Sequence, residues 1–182
     1  ATGLSGFLKS ALRAAIWPVL KLGFPEIPCK LSDYVLYLNT RDRGISRELF
    51  MYRIHEPITT ELMKINLKEG MNVIDIGANI GYYVILEAKI VGPSGKVIAV
   101  EPYPQSVSIL RKNIETNHLD QIVTVLEMAA GDRDGYLDFY ISSRANWNSL
   151  IRLERNQSSI RVKVRLLDNV VNLERIDFIR MD

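Results

Sequence analysis

The spacing of apolar residues changes abruptly near residue 77, from a continuous run to a helical repeat. Val73, Ile74 and Ile76 form a short apolar run of the kind that a fully buried parallel strand requires. After Gly77, apolar residues recur at helical spacing, namely Ile80, Val84, Ile85, Ala88 and Val91. A glycine at this point permits a tight turn between the two patterns. The segment is therefore predicted to be a strand, a turn and a helix whose first N–H groups face a crevice.

The alternation of strand and helix continues downstream of this segment. The predicted elements are strands at Lys96–Val100, Ile122–Leu126 and Ile176–Met181 and a helix at Gln105–Asn117. Two further segments, Tyr136–Ile141 and Ile160–Leu166, alternate apolar and polar residues, which is typical of an antiparallel pair. We therefore predict an α/β fold, with a Rossmann-like parallel sheet, helices on both of its faces and an inserted antiparallel hairpin.

Residues 1–45 are predicted to form an N-terminal extension, and residues 46–182 the core. Residues 1–22 show an amphipathic helical pattern. Its apolar face consists of Leu4, Leu8, Ala11, Leu12, Ala15, Ile16, Val19 and Leu20. Residues 4–20 could pack on the domain or make peripheral contact with a membrane surface. We favour packing, because the basic residues of this segment are too few for strong electrostatic anchoring.

The rest of the extension and the start of the core are predicted to be short elements. Pro25 and Pro28 indicate a connector, and Tyr34–Leu38 indicates a strand. A helix is expected over Ser46–Tyr52, and a second one follows Pro57. The buried side of that second helix is predicted to carry Ile58, Leu62, Met63 and Ile65.

Composition and charge fit one cytoplasmic globular domain. The chain has 182 residues, of which 47% are hydrophobic, and this is enough for a sizeable core. A net charge of +2 argues against a nucleic-acid partner. Cys29 is the single cysteine, which is compatible with a reducing compartment. No apolar run reaches the ~18 residues of a spanning helix, so we expect no membrane span. The oligomeric state stays open.

Two acidic residues, one within a predicted strand and one at a strand end, are the candidates for ligand binding. Asp75 lies inside the apolar run before Gly77, where a carboxylate is costly unless something binds it. Glu101 ends the next strand, where one carboxylate can accept hydrogen bonds from both hydroxyls of a ribose. A dinucleotide fingerprint fits badly, because Asn79 and Tyr82 occupy positions that should be glycine. No metal site is indicated.

Two aromatic side chains have open roles. Trp147 lies in the polar loop of the predicted hairpin, where it could stack on a ligand or equally plug the base of the hairpin. His55 could act as a general base, although a lone histidine before a helix is more often structural.

Several motifs in order resemble those of the FkbM-type S-adenosylmethionine (SAM) methyltransferases, from about Arg43 to Asp182. The first, D-x-G-x-x-x-G, also resembles motif I of class I SAM methyltransferases in general. The matching runs are V-I-D-I-G-A-N-I-G-Y-Y, G-K-V-I-A-V-E-P-Y-P, L-R-K-N-I-E-T-N, A-A-G-D and I-D-F-I-R-M-D. The last motif normally has Lys where this chain has Arg180, and it continues with Glu-Gly beyond Asp182. The chain is thus expected to be a fragment that lacks the final strands of the sheet.

The resemblance implies a SAM site and a methyl acceptor. The residues it assigns to the cofactor are Asp75, Gly77, Asn79, Gly81, Tyr82, Glu101, Pro102, Met128 and Ala129. Asp182 is the candidate base, since it lies at the carboxyl end of a central strand. Family members typically methylate hydroxyl groups, so a small-molecule or glycan acceptor is expected. A cofactor-binding but inactive module and an NAD(P)-dependent oxidoreductase are the alternatives.

Overall fold

The N-terminal part of the chain forms a long helix, a hairpin and two short helices. The computed structural model describes residues 4–142, 144–152 and 157–182. The first elements are α1 (Leu4–Gly23), β1 (Glu26–Leu31), β2 (Tyr34–Asn39), α2 (Ile45–Tyr52) and α3 (Pro57–Asn66). The strands β1 and β2 pair in antiparallel register, with Cys29 opposite Leu36.

Helix α1 packs on the domain through a face that the sequence pattern did not predict. Trp17 is buried, with its ring centroid 5.1 Å from that of Phe50. Arg13 donates a hydrogen bond of 2.9 Å to the carbonyl oxygen of Met51, in the last turn of α2. The predicted apolar face is instead largely exposed, at Leu8, Leu12, Ile16 and Val19. Two factors explain this orientation. Burial of Trp17 removes the largest apolar side chain of the helix from water, and the last carbonyl groups of α2 need hydrogen-bond donors, which Arg13 supplies.

Two smaller expectations for this region are also wrong. Glu26–Leu31 is a strand rather than a connector, because Pro28 lies in a two-stranded pairing whose outer edge tolerates a missing N–H.

In α3, Met63 is buried as expected, but the other apolar residues of the predicted face are exposed, namely Ile58, Leu62 and Ile65. Thr60 sets the rotation of this helix, since its hydroxyl donates to the carbonyl oxygen of His55 at 2.8 Å.

A parallel four-stranded sheet forms the centre of the molecule. The remaining elements are β3 (Asn72–Ile76), α4 (Tyr82–Val91), β4 (Lys96–Val100), α5 (Pro104–Thr116), β5 (Val123–Leu126), β6 (Ala129–Ala130), β7 (Gly135–Tyr140), β8 (Ser159–Arg165) and β9 (Phe178–Met181). The strand order is β5-β4-β3-β9, and all of these neighbours are parallel. This confirms the predicted α/β class and Rossmann-like sheet.

The two faces of the sheet are covered differently. Apolar side chains of α4 and α5 join those of the strands in the largest hydrophobic cluster. On the opposite face, Ile74, Ile98 and Val100 pack against residues of the segment 167–173, which begins with a short 3₁₀ helix. The predicted hairpin is confirmed, since β7 and β8 pair in antiparallel register, and β6 adds a third strand beside β8.

Strand β9 lies at the edge of the central sheet. It pairs with β3, and no other strand of the described residues pairs with it. Ile179 and Met181 are exposed there. No helix in the described part of the chain is both long enough and apolar enough to cross a bilayer. Peripheral membrane contact through residues 4–20, the less favoured alternative, stays untested.

Candidate functional site

A crevice opens at the carboxyl ends of β3 and β4, where ligands bind in open α/β sheets. It has a volume of about 350 Å³. Its walls come from the loops after β3 and β4, from the segment around β6, from the loop after β7 and from the end of β9. The predicted site residues in its lining are Gly77, Asn79, Glu101, Pro102, Met128, Ala129 and Asp182. The fold therefore brings together residues that are far apart in the sequence.

Glu101 is held in the crevice by two backbone amides from different loops. The amide of Asn79 donates to Oε2 at 2.8 Å, and the amide of Tyr103 donates to Oε1 at 2.9 Å. Burial raises the pKa of Glu101 to about 7, although these two hydrogen bonds act in the opposite direction. The carboxylate is thus fixed in position, and its protonation changes close to neutral pH.

The turn after β3 brings the backbone against the end of β9. Gly77 has a φ of +84°, a conformation that side-chain-bearing residues rarely adopt. A Cβ atom at this position would lie 3.2 Å from the Cβ of Asp182. Asn79 also has a positive φ, of 50°, and its buried Oδ1 has no hydrogen-bond partner in the described residues. An unsatisfied acceptor in the crevice wall is a natural position for a donor from a ligand.

Asp75 lies behind the crevice, where it forms a buried ion pair with Arg180. Arg180 Nη1 donates to Asp75 Oδ1 at 2.9 Å, and Nη2 donates to Asp182 Oδ2 at 3.2 Å. The guanidinium carbon also lies 4.1 Å from the ring centroid of Tyr83. Burial raises the pKa of Asp75, while the charge of Arg180 lowers it. Arg180 therefore links the buried acid to Asp182 and limits where the Asp182 carboxylate can lie.

A second buried acid, Glu87 of α4, is close to this ion pair. It is fully buried, and neither of its carboxyl oxygens has a hydrogen-bond partner in the described part of the chain. Burial raises the pKa of Glu87 well above its ordinary value, and the charge of Asp75 raises it further. The neutral, protonated form of Glu87 is consequently favoured more than it would be for a carboxyl group in water. The sequence pattern did not single it out, because one acid within a helix usually marks the solvent side.

Gly81 and Tyr82 do not line the crevice. Gly81 has a φ of +90°, and a Cβ atom there would lie 2.5 Å from Leu110 Cδ1, so this glycine permits close packing of α4 against α5. The Tyr82 side chain is buried, with its hydroxyl 3.2 Å from that of Thr60. Both residues stabilise the start of α4.

The side chain of His55 is also buried beside the start of α4. Its Nδ1 lies 2.8 Å from Glu48 Oε2, and its ring meets that of Tyr82 edge to face at 5.9 Å. This supports the structural interpretation of His55.

The loop after β7 supplies crevice residues that sequence reasoning missed. They are Ala145, Asn148, Ser149, Leu150 and Ile151, and Phe139 of β7 lines the crevice beside them. The polar character of this loop was the only signal for them. Trp147 neither lines the crevice nor plugs the hairpin; it is about half exposed, and the guanidinium of Arg144 lies 4.3 Å from its ring centroid. Within the described residues, no group of three or more potential ligands is arranged for a metal ion.

Comparisons with known proteins agree on one class of enzyme. The family model described as methyltransferase FkbM domain matches residues 75–182. A protein-L-isoaspartate O-methyltransferase of Methanothrix thermoacetophila is 37% identical over 62 residues, which are 34% of this chain and 30% of that protein. Its counterpart in Triticum aestivum is 33% identical over 88 residues, which are 48% of this chain and 34% of that protein. The chain thus spans about a third of these curated relatives.

Solved structures give a partial match. A SAM-dependent O-methyltransferase from Thermotoga maritima is 26% identical, with a TM-score of 0.40, and the match covers 48% of this chain and 36% of that one.

Proposed function

Because this chain belongs to the FkbM methyltransferase family, we propose that its crevice binds SAM and that the protein methylates a hydroxyl group of a small molecule or glycan. The observation that carries this proposal is the position of Glu101. It is a buried carboxylate held by two loop amides, at the carboxyl end of the strand next to the glycine turn. A crevice of about 350 Å³ is within the size range of small-molecule sites.

In the proposed complex, Glu101 accepts hydrogen bonds from the ribose hydroxyls. Its two oxygens each already accept one backbone amide, and each retains further acceptor capacity. Met128 and Ala129 border the adenine, and Pro102 lies beside Glu101 in the lining. Gly77, which lies next to Asp182, and Asn79 both line the crevice, and they are the residues proposed to contact the methionine part. Asn79 Oδ1, which is buried and has no hydrogen-bond partner among the residues the structure describes, is the proposed acceptor for a donor of the ligand.

Asp182 is the proposed base that accepts the hydroxyl proton of the acceptor. Bound SAM supplies a methyl group on a sulfonium, and the chemistry is an in-line displacement by the hydroxyl oxygen. Asp182 is about half exposed, so an acceptor can reach it from solvent. Arg180 acts as a positioning residue, since it hydrogen-bonds Asp182 and is itself held by Asp75.

Parallel calorimetric titrations with S-adenosylhomocysteine and NADH test this proposal. We expect S-adenosylhomocysteine to bind and NADH not to bind, because the buried Tyr82 fills the position of a fingerprint glycine. NADH binding with no response to S-adenosylhomocysteine would favour the oxidoreductase alternative. Methyl transfer from labelled SAM to a panel of glycans then distinguishes an enzyme from an inactive binding module.

A further inference from the structure

Three arginines surround a cavity system beside the crevice, where α1, the start of α2 and the loop after β7 meet. Arg43, Arg47 and Arg144 line both of two cavities, with volumes of about 550 and 630 Å³. We call these two cavities the arginine pocket. Lys21 of α1 contributes a fourth positive charge to the lining of the larger cavity.

The three arginines of the arginine pocket form no direct ion pair with a carboxylate in the described part of the protein. None of the ion pairs formed there involves Arg43, Arg47 or Arg144. Glu48 is the carboxylate in the lining, and its Oε2 lies 2.8 Å from His55 Nδ1. Several guanidinium groups around one cavity repel each other, so an anion that enters it relieves this repulsion.

A single buried carboxylate holds the arginines around the cavity. Asp42 is 4% exposed, and its Oδ1 accepts hydrogen bonds from the amides of Gly44 at 2.7 Å and Ala145 at 2.8 Å. Its Oδ2 accepts from the amide of Ser46 at 2.8 Å. Because Arg43 adjoins Asp42 and Arg144 adjoins Ala145, this bridge keeps the two arginines near each other. The fold thus fixes the backbone positions from which the exposed side chains of Arg43 and Arg144 extend.

The same loop connects the arginine pocket to the crevice. Arg144 and Trp147 line the arginine pocket, whereas Ala145 and Asn148 line the crevice. The stacking of Arg144 on the Trp147 ring restricts its guanidinium. A ligand in the arginine pocket is therefore separated from the crevice by one loop.

We propose that the arginine pocket binds an anionic group of the methyl acceptor, so that the acceptor is an acidic small molecule or glycan. Guanidinium groups bind phosphate, sulfate and carboxylate through paired hydrogen bonds, which makes these groups the matching chemistry. The acceptor hydroxyl then extends over the loop toward Asp182. This inference rests on the proposed function, but anion binding itself can be measured without methyl transfer.

The test is calorimetric titration of the protein, at low salt, with glucose 1-phosphate, glucuronate and glucose. We expect the phosphate ester, the carboxylate or both to bind, and the neutral sugar not to bind. The variants Arg47→Gln and Arg144→Gln should each weaken that binding about tenfold, the scale of one lost charge-assisted hydrogen bond. Arg111→Gln is the matched control, since Arg111 is an exposed arginine of α5 outside the arginine pocket. Circular dichroism spectra and thermal unfolding check that each variant is folded.

The outcomes separate this inference from the proposed function. Binding of one anion type identifies which anionic group the pocket takes. The inference is overturned if neither anion binds, or if Arg111→Gln weakens binding as much as the pocket variants do. It is also overturned if a short single-stranded RNA binds through the same arginines far more tightly than either sugar. Anion binding without S-adenosylhomocysteine binding would refute the proposed function and leave the anion site standing.

Discussion

The crevice and the arginine pocket share one loop, but their charged groups have different surroundings. The comparison is clearest between Glu101 in the crevice and Arg47 in the arginine pocket. Glu101 is 5% exposed and hydrogen-bonded by two backbone amides. Arg47 is exposed and forms none of the ion pairs found in the described residues. Burial moves the pKa of a carboxyl toward neutral pH, whereas an exposed guanidinium stays charged and is screened by salt. The crevice should therefore respond to pH, and the arginine pocket to ionic strength.

The largest expected effect concerns the buried acid beneath the crevice. Glu87→Gln should raise the free energy of unfolding at pH 7 by up to about 3 kcal/mol, the cost of protonating a carboxyl of ordinary pKa 4.5 at that pH. Because the pKa of Glu87 is higher in the folded state than in the unfolded state, protonation of Glu87 favours folding. This contribution to the free energy of unfolding is complete below pH 4.5 and is lost as pH rises. Urea denaturation at pH 7 and pH 4.5 measures the difference.

The increase in the free energy of unfolding caused by Glu87→Gln should accordingly be nearly absent at pH 4.5. Glu115→Gln, at an exposed position of α5, is the matched control and should change stability little at either pH. An equal gain for Glu87→Gln at both pH values would show that ionisation of Glu87 is not the cause.

The next effect tests the crevice itself. Glu101→Ala should weaken binding of S-adenosylhomocysteine by about 1–3 kcal/mol, since it removes charge-assisted hydrogen bonds to the ribose. Titration calorimetry at pH 8 measures the change, and Glu101→Gln controls for lost volume. Unchanged affinity in the alanine variant would remove Glu101 from the site.

A pH series sharpens the comparison further. The pKa of Glu101 is raised to about 7, so protonation below pH 7 removes the carboxylate that accepts the ribose hydroxyls. Affinity for S-adenosylhomocysteine should fall about tenfold for each pH unit below 7. Glu101→Gln should lose this slope. A wild-type affinity that is constant from pH 8 to pH 5.5 would contradict the assignment.

The smallest effect lies on the bridge between the two sites. Asp42→Asn removes the charge that holds the amides of Gly44, Ser46 and Ala145, and it should cost about 1 kcal/mol. We expect the affinities for S-adenosylhomocysteine and for an anionic sugar to fall together, by severalfold each. Faster hydrogen exchange at residues 144–151 should accompany the change. A loss confined to one ligand would mean that Asp42 does not support both sites.

The sequence was most informative where burial leaves a simple pattern. Short apolar runs located β3 and β4, because strands covered on both faces are predominantly apolar, and Asp75 is the exception within the run of β3. The helical spacing after Gly77 located α4 in the same way. The predicted orientation of α1 was wrong, since a count of apolar residues does not weigh the large ring of Trp17 against several aliphatic side chains.

The parts of the site that sequence reasoning missed depend on contacts between distant residues. Arg180 was noticed only as a departure from a motif, whereas its role comes from Asp75, which is 105 residues away. The bridge from Asp42 to Ala145 joins residues 103 positions apart. No local pattern marks either contact, because each requires the finished fold.

The loop that Asp42 holds has a thermodynamic consequence. One wall of the crevice and one wall of the arginine pocket are the same short segment. If both proposed ligands bind, a ligand that orders this segment in one site would change the free energy of binding in the other. Such coupling is reciprocal. If an acidic acceptor increases the affinity for the cofactor by some factor, the cofactor must increase the affinity for the acceptor by the same factor. If the same coupling holds after the methyl group has been transferred, bound S-adenosylhomocysteine slows the dissociation of the methylated product. Release of the two products, rather than methyl transfer, would in that case set the turnover rate.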